Sequence, residues 1–389
     1  MSKVKFGIIG ADFSLRSAMV VDNCPQDRGE LVALCDTNPE MLKRYQDANP
    51  DSKVKCYDSA YKMYADPEVE AVFIMVRDHY HEELAVAALE AGKAVYLEKP
   101  MAITVEGCDR ILETAVRTKG KLFIGHNMRY FDSILKMKEI IDSGIIGDIQ
   151  CVWVRHFVNY GSCYFHHWCA EQKNCTGLLL QKGAHDIDII HWLTGAYSER
   201  VVGMGRLSVY NRTTNYLAPG EAPDRKKAFS DQTWPPLEIE KLNPAMDVED
   251  HNMLLMQLSN GVQASYEHCM YAPDSERNYT FIGDRGRVEN IGDRGNCEIH
   301  VWVSRTKRTT PDIVYKLREK PGTHGGSDKE IIKAFFDYIQ YDIKPNVSPV
   351  AARYAVAAGV MGHISMRNGN TPQDIPPLSQ EILDYFGTN

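Results

Sequence analysis

Hydrophobic positions in the first third of the chain fall in short blocks separated by amphipathic stretches. Lys3 to Ile9 runs into an apolar strand broken by Gly10-Ala11-Asp12, and Leu31–Cys35 reads as a second strand that ends at Asp36. Further strands are predicted at Val54–Cys56, Ala71–Val76, Ala94–Leu97 and Leu122–Gly125. Helical periodicity occupies the gaps: from a cap at Ser14 to about Asn23, then Pro39–Ala48, His81–Ala91 and Thr104–Thr118. Strands alternating with helices of this length imply right-handed βαβ units and a doubly wound parallel sheet.

After Phe131 the pattern changes. A helix is predicted near Ser133–Ser143, a strand at Ile149–Val158, a loop rich in Cys, His and aromatic residues, and a helix at Lys182–Leu193. Met253–Leu258 and Val262–His268 flank Ser259-Asn260-Gly261, an Asn-Gly hairpin turn. Tyr279–Ile282 and Arg287–Asn290 flank Asp284-Arg285-Gly286 in the same way. Asn211 to Asp247 is polar and Pro-rich without a period, as expected of a surface insertion or lid. Ser327–Tyr341, with Ser327 as its cap, and Pro349–Met366 are helical. The prediction is thus an α/β fold, a parallel-sheet domain over 1–125, followed by an α+β domain over 126–389 with an open, mostly antiparallel sheet.

Composition narrows this picture only a little. At 389 residues the chain exceeds what one core usually serves, and its 44% hydrophobic and 25% charged content is that of a soluble globular protein. A net charge of −8 with no basic tract argues against nucleic acid or an anionic membrane as partner. The N-terminus has no signal-peptide pattern and no apolar run is long enough to span a bilayer, so a cytoplasmic location is expected. The ten cysteines are scattered and read as free thiols. Cys163, His166, His167, Cys169 and Cys175 cluster, but their spacing matches no common zinc finger or ribbon, and no metal is expected.

Candidate chemistry begins at the turn after the first strand. A dinucleotide site usually shows G-x-G-x-x-G, letting the backbone approach a pyrophosphate. Here Gly10 fills the first position, Asp12 the second and Leu15 the third, so phosphate donors would come from Ser14 and Arg16 on a path shifted outward. Asp36, ending the second strand, stands where an acidic residue accepts from adenosine ribose hydroxyls, and would repel the 2′-phosphate of NADP. The alternative is the N-cap of the next helix. Glu98-Lys99-Pro100 closes the apolar run Ala94–Leu97, and ligands in open parallel sheets sit beyond the carboxyl ends of strands. Read alone, that triplet is more often a surface turn with a solvated lysine. In the Lys182–Leu193 helix, Lys182, His185 and Asp188 are three apart and share a face, whereas His191 falls on another with Ile187 and Ile190, as a packing histidine.

With these segments placed, the chain resembles the glucose–fructose oxidoreductase / inositol dehydrogenase (Gfo/Idh/MocA) family over nearly its whole length. Val4–Gly10 resembles the opening strand of the family's Rossmann domain, and Arg77-Asp78-His79-Tyr80-His81 the loop after its fourth strand. Ala87–Lys93 leading to Glu98-Lys99-Pro100 is close to the family signature, and Gly125–Tyr130 resembles the passage into the second domain. Gly183–Leu193 resembles the active-site helix, with His185 as catalytic histidine and Asp188 as its acid. Three departures stand out: Asp12 and Leu15 in the glycine loop, Arg77 where the family usually has proline, and Gln181 for a frequent aspartate, with Lys182 beside it.

The resemblance implies an NAD-dependent oxidoreductase moving a hydride between nicotinamide and a secondary hydroxyl of a sugar, sugar derivative or cyclitol. It implies Gly10, Asp12, Phe13, Ser14, Asp36, Arg77, His81, Glu98, Lys99 and Asn127 for the cofactor. For substrate it implies Lys99, Arg129, Trp168, Gln181, Lys182 and His185. Tyr160, Tyr164, His167, Trp168 and Arg155 either line a carbohydrate pocket or simply pack. Alcohol oxidation requires a base for the hydroxyl proton, and histidine, with a reference pKa near ~6.5, suits that task. Asp188 would hold its tautomer, Lys99 would hydrogen-bond the developing alkoxide, Glu98 would hold the lysine, and Pro100 admits a cis bond. In this expectation Lys99 and His185 meet over the nicotinamide in a cleft between the domains of a homodimer or homotetramer. Two other readings stay open: a glycosidase or epimerase working through a transient keto-sugar with tightly held NAD, and a non-catalytic sugar or nucleotide sensor.

Overall fold

The computed structural model describes residues 2–12, 16–223, 233–293, 296–305, 309–318 and 320–387. Two compact units emerge, one made of residues 1–131, 321–353 and 378–389, the other of 132–320 and 354–377.

In the first unit six strands form one parallel sheet: β1 (Val4–Ile9), β2 (Gly29–Cys35), β3 (Lys55–Tyr57), β4 (Ala71–Ile74), β5 (Ala94–Leu97) and β6 (Leu122–Ile124). Their order is β3-β2-β1-β4-β5-β6, so the strand sequence reverses between β1 and β4. The connecting helices are α1 (Arg16–Asn23), α2 (Pro39–Ala48), the short α3 (Ala60–Tyr64), which the periodicity did not predict, α4 (His81–Glu90) and α5 (Val105–Thr118). Thr104 caps α5 by accepting from the Gly107 amide, and Asn38 caps α2 by accepting from Glu40.

A parallel sheet needs cover on both faces. Phe6, Ile8, Phe73, Tyr96 and Phe123 point to one face, where Met19 and Val20 of α1 meet Ile331, Ile332, Phe335 and Phe336. The last four belong to α11 (Ser327–Tyr341), from late in the chain. Phe336 contacts Phe6 edge-on at 5.7 Å and Phe335 contacts Phe73 at 5.0 Å. The first unit therefore does not stop at residue 125: the chain returns to it because those rings cover a sheet face that the preceding helices leave bare. Ser327 is not the cap of α11. The capping position is Gly326, in the left-handed region at φ +82°, and Ser327 Oγ donates to the His324 carbonyl.

The second unit carries α6 (Asp132–Asp142), then β7 (Ile149–Phe157), the short α7 (Cys163–His166), α8 (Gln172–Cys175) and α9 (Leu178–Gln181), and α10 (Gly183–Thr194). Next come β8 (Ser198–Arg206), β9 (His251–Leu258), β10 (Gln263–Cys269), β11 (Glu276–Gly283), β12 (Arg287–Ile291), β13 (Glu298–Trp302) and β14 (Ile313–Lys316). α12 (Pro349–Arg367) and β15 (Gln373–Asp374) complete it, and α13 (Gln380–Phe386) lies in the returning tail. The nine-stranded sheet runs β14-β13-β12-β11-β7-β10-β9-β8-β15, antiparallel at every pairing except β7 with β10. Strands β8, β13, β14 and β15 escaped the sequence reading: β8 contains two glycines and three charges, β14 has four residues and β15 two. The described parts of the predicted insertion form 3-10 turns at Tyr210–Arg212 and Pro236–Glu238 and a bridge between Tyr216 and Leu242.

One sheet face packs on α10 and its neighbours, and the other is open. Val202, Leu255, Ser265 and Trp153 form a cross-strand row on the open face, with Leu255 57% and Trp153 53% exposed.

Candidate active site

In the first unit, parallel strands bring their carboxyl ends to one edge, and the crevice of such a sheet lies where strand order reverses. Gly10 ends β1 at φ +94°, and a Cβ there would collide with the Met75 carbonyl. Glycine is thus required by conformation and by space. Asp36, at the end of β2, accepts from the Ala11 amide at 2.8 Å and from the Asn38 amide at 2.8 Å. It ties the glycine turn to the next strand, and the helix cap that it was the alternative candidate for is Asn38. Ser17 Oγ donates to the Gly10 carbonyl, anchoring α1 to the same turn. Asp12 is partly exposed beside it, while Phe13, Ser14 and Leu15 lie outside the described residues.

Lys99 follows β5 with a cis bond to Pro100. It is 9% exposed, and its amide donates to Glu98 Oε2 at 3.2 Å. Arg16 Nη1 approaches Glu98 Oε1 at 3.6 Å. His81, fully buried, sets its Nδ1 2.7 Å from the Pro100 carbonyl and its Nε2 3.2 Å from the Val76 carbonyl. Burial holds its pKa below the ordinary value, against those two carbonyls. With its two nitrogens facing these carbonyls, His81 ties the turn after β4 to the turn after β5. Arg77 is exposed. Asn127 and Arg129 also have structural employment: Asn127 Nδ2 donates to Asp328 Oδ1 at 3.1 Å and Arg129 Nη1 to the Asn346 carbonyl at 2.5 Å.

In the second unit, Lys182 is the capping residue of α10, with His185 and Asp188 one and two turns on. His185 is 7% exposed and Asp188 is buried. Lys182 Nζ donates to the Tyr160 hydroxyl at 3.0 Å and lies 5.2 Å and 5.5 Å from the ring centres of Tyr160 and Tyr164. Gln181 is buried at the end of α9, and Trp168 packs on the cluster of Phe165, Leu178 and Tyr210. Cys175 lies buried in that cluster, its thiol donating to the Cys169 carbonyl. His191 accepts at Nε2 from the Ser198 amide, a packing role.

Sequence reading overlooked the group beneath α10. Asp186 is fully buried; Arg277 Nε donates to its Oδ1 at 3.0 Å, Tyr279 donates to the same oxygen, and His156 Nδ1 stands 3.3 Å from Oδ2. Burial alone would raise the Asp186 pKa, but Arg277 and then His156 hold it well below the carboxylate range. Burial, reinforced by the Arg277 cation, pushes His156 down to about 3. The signal lay in β11, where arginine and tyrosine alternate on an inward face, but only the pairing with β7 reveals that they converge on Asp186.

A glycine turn at a strand-order reversal, with an acidic residue ending the neighbouring strand, defines a dinucleotide-binding oxidoreductase fold. The NAD-binding Rossmann fold of an oxidoreductase family matches residues 4–126 and that family's C-terminal alpha/beta domain matches 138–374. The chain belongs to the Gfo/Idh/MocA oxidoreductase family, and its first domain is the NAD-binding one. It is 23% identical to YteT of Bacillus subtilis, named as an oxidoreductase, across 85% of this chain and 88% of that one. It is 33% identical to inositol 2-dehydrogenase of Salmonella typhimurium over 49% of this chain and 53% of the relative, so it spans about half of that protein. In fold it is similar to scyllo-inositol dehydrogenase from Lactobacillus casei with bound NAD(H) and scyllo-inositol, with TM-score 0.70, 19% identity and coverage of 96% and 99%. It is likewise similar to the WlbA dehydrogenase of Bordetella pertussis, with TM-score 0.71, 20% identity and coverage of 97% and 100%.

Proposed function

We propose that the protein is a dehydrogenase that oxidises a secondary hydroxyl of a sugar, sugar derivative or cyclitol with NAD. The observation that carries this reading is the buried Glu98-Lys99-Pro100 turn at the carboxyl end of β5, on the sheet edge that also carries Gly10 and Asp36. Inositol 2-dehydrogenase among the relatives supports the cyclitol class.

The residues present fit the cofactor: Gly10, at a positive φ and close against the Met75 carbonyl, makes the tight turn that a dinucleotide loop needs, and Asp36 keeps an acceptor set beside that turn. The Gly10–Asp12 turn and α1 would hold the phosphates and Asp36 the ribose, while its charge disfavours a 2′-phosphate. Bound nicotinamide supplies the hydride acceptor. His185 takes the hydroxyl proton, Asp188 stabilises the imidazolium so formed, and Lys99 donates a hydrogen bond to the oxygen as negative charge develops on it. Glu98, in contact with the Lys99 amide, orients the lysine's turn.

The open face of the nine-stranded sheet supports a homo-oligomer, because a row containing Trp153 and Leu255 is a large apolar area to leave in water. A cytoplasmic location goes with this reading; among the described residues no helix is long and apolar enough to cross a membrane.

The test is NADH formation, followed by absorbance, from a panel of sugars, sugar acids and cyclitols. Turnover with NAD that fails with Lys99→Met and His185→Ala is expected. No NADH from any of them, with NAD binding demonstrated, overturns the proposal. A glycoside cleaved by enzyme carrying unexchanged NAD would select the keto-sugar alternative instead.

A further inference from the structure

Three lysines among the described residues, Lys93, Lys99 and Lys182, are about nine-tenths buried, and the first and last can be compared directly. Lys93 is 8% exposed and donates to two carbonyls, those of Asp66 and Val69, at 2.9 and 2.7 Å. Lys182 is equally buried, yet its one hydrogen-bond acceptor is the Tyr160 phenol. An ammonium has three N–H donors, so two of those of Lys182 find no acceptor among the described residues.

Its charge also has no anionic partner among the described residues. No carboxylate among the described residues forms an ion pair with it, whereas neighbouring Arg277 lies between Asp186 at 3.0 Å and Asp293 at 3.8 Å. Buried charges are ordinarily paired. The rings of Tyr160 and Tyr164 face the ammonium and compensate it in part. They offer no further oxygen to the two remaining donors. Both tyrosines are only partly buried. Lys182 also caps α10, whose N-terminal end carries partial positive charge, and His185 lies one turn on.

We propose that the substrate is an acid, a sugar or cyclitol bearing a carboxylate that Lys182 receives between Tyr160 and Tyr164. This rests on the dehydrogenase reading and narrows its substrate class. A carboxylate offers two oxygens to two vacant donors and one negative charge to one positive charge. A phosphate monoester, carrying about −1.5 to −2 at neutral pH, would need a second cation, and Arg277 is already committed to Asp186.

Calorimetric titration of the full-length, NAD-loaded protein with D-glucuronate and D-galacturonate, against D-glucose, D-galactose and myo-inositol, tests the charge preference. Glucose 6-phosphate serves as a separate arm. The acids are expected to bind roughly tenfold or more tightly than their neutral counterparts. Lys182→Gln should bring that ratio close to one, because it removes one partner of the buried charge pair, and Lys182→Arg should retain most of it. Equal affinity for acid and neutral forms in the wild type overturns the proposal, as does tighter binding of the phosphate or no binding of the acids. Because the wild-type comparison needs no variant, failure of Lys182→Gln to fold leaves the test intact. NADH formation is read in parallel: acid binding without turnover sinks the dehydrogenase reading alone, and turnover confined to neutral substrates sinks the charge assignment alone.

Discussion

Single residues carry two separable kinds of work in this protein, chemistry and the holding of buried charge. If Lys99 and His185 act as proposed, Lys99→Met and His185→Ala should each lower kcat by roughly 10²- to 10⁴-fold. The Kd for NAD, measured by fluorescence titration, should change little. Asp186→Asn is expected to act differently. It leaves Arg277 buried without its first carboxylate and should destabilise the fold by about 3–5 kcal/mol in urea unfolding. The same cluster makes stability depend on pH. His156 titrates near 6.5 when unfolded but is held down to about 3 in the native state by burial and the Arg277 cation. Below about pH 6.5 the unfolded chain therefore gains a proton that the native one refuses, and stability falls as pH drops toward 3. Asp186, whose native pKa is lowered, keeps its contribution above the ordinary carboxylate range and loses it only in stronger acid. The urea midpoint should fall between pH 7 and pH 4 (values chosen to bracket about 6.5), and His156→Gln should flatten that slope; an unchanged slope would remove His156 as its source.

Among the elements, those of the first unit were legible because each carries its own period and its own punctuation. Pro39–Ala48 and Ala94–Leu97 agree residue for residue with the expectation, since a proline start and a continuous apolar run mark both. What escaped had its meaning in partners far along the chain. The rings of Phe335 and Phe336 read as one face of an ordinary amphipathic helix, and nothing local says that the face belongs to β1 and β4. The same holds for the candidate site: Lys99, His185 and Asp36 stood out through motif and position, whereas Asp186 looked like any helical aspartate until β11 was set beside β7. His81, Asn127 and Arg129, expected as ligand residues, also make contacts with backbone or side chains of their own unit that no local pattern announces. Phe335→Ala should cost about 3–5 kcal/mol by removing a ring from between α11 and the parallel sheet, read as a lower denaturant midpoint with NAD absent.

For the molecule as a whole, the exposed sheet face makes the state of association testable. Its groove of about 330 Å³ is bordered by both apolar and polar side chains, among them Cys151, Trp153, Val202, Leu255, Gln257 and Ser265. If copies of the chain associate through it, Leu255→Asp should yield a monomer in multi-angle light scattering while leaving the unfolding midpoint of the monomer near that of the parent. An unchanged mass would place association elsewhere. The origin of α11 has a bearing on synthesis as well. The last strand of the parallel sheet ends at Ile124 and the helix that shields it begins at Ser327, about two hundred residues later. At roughly 5–20 residues per second, a nascent chain carries an uncovered aromatic surface for on the order of ten seconds or more. The nucleotide-binding half, although first off the ribosome, is among the last parts to be completed, and that interval is when a chaperone would have something to hold.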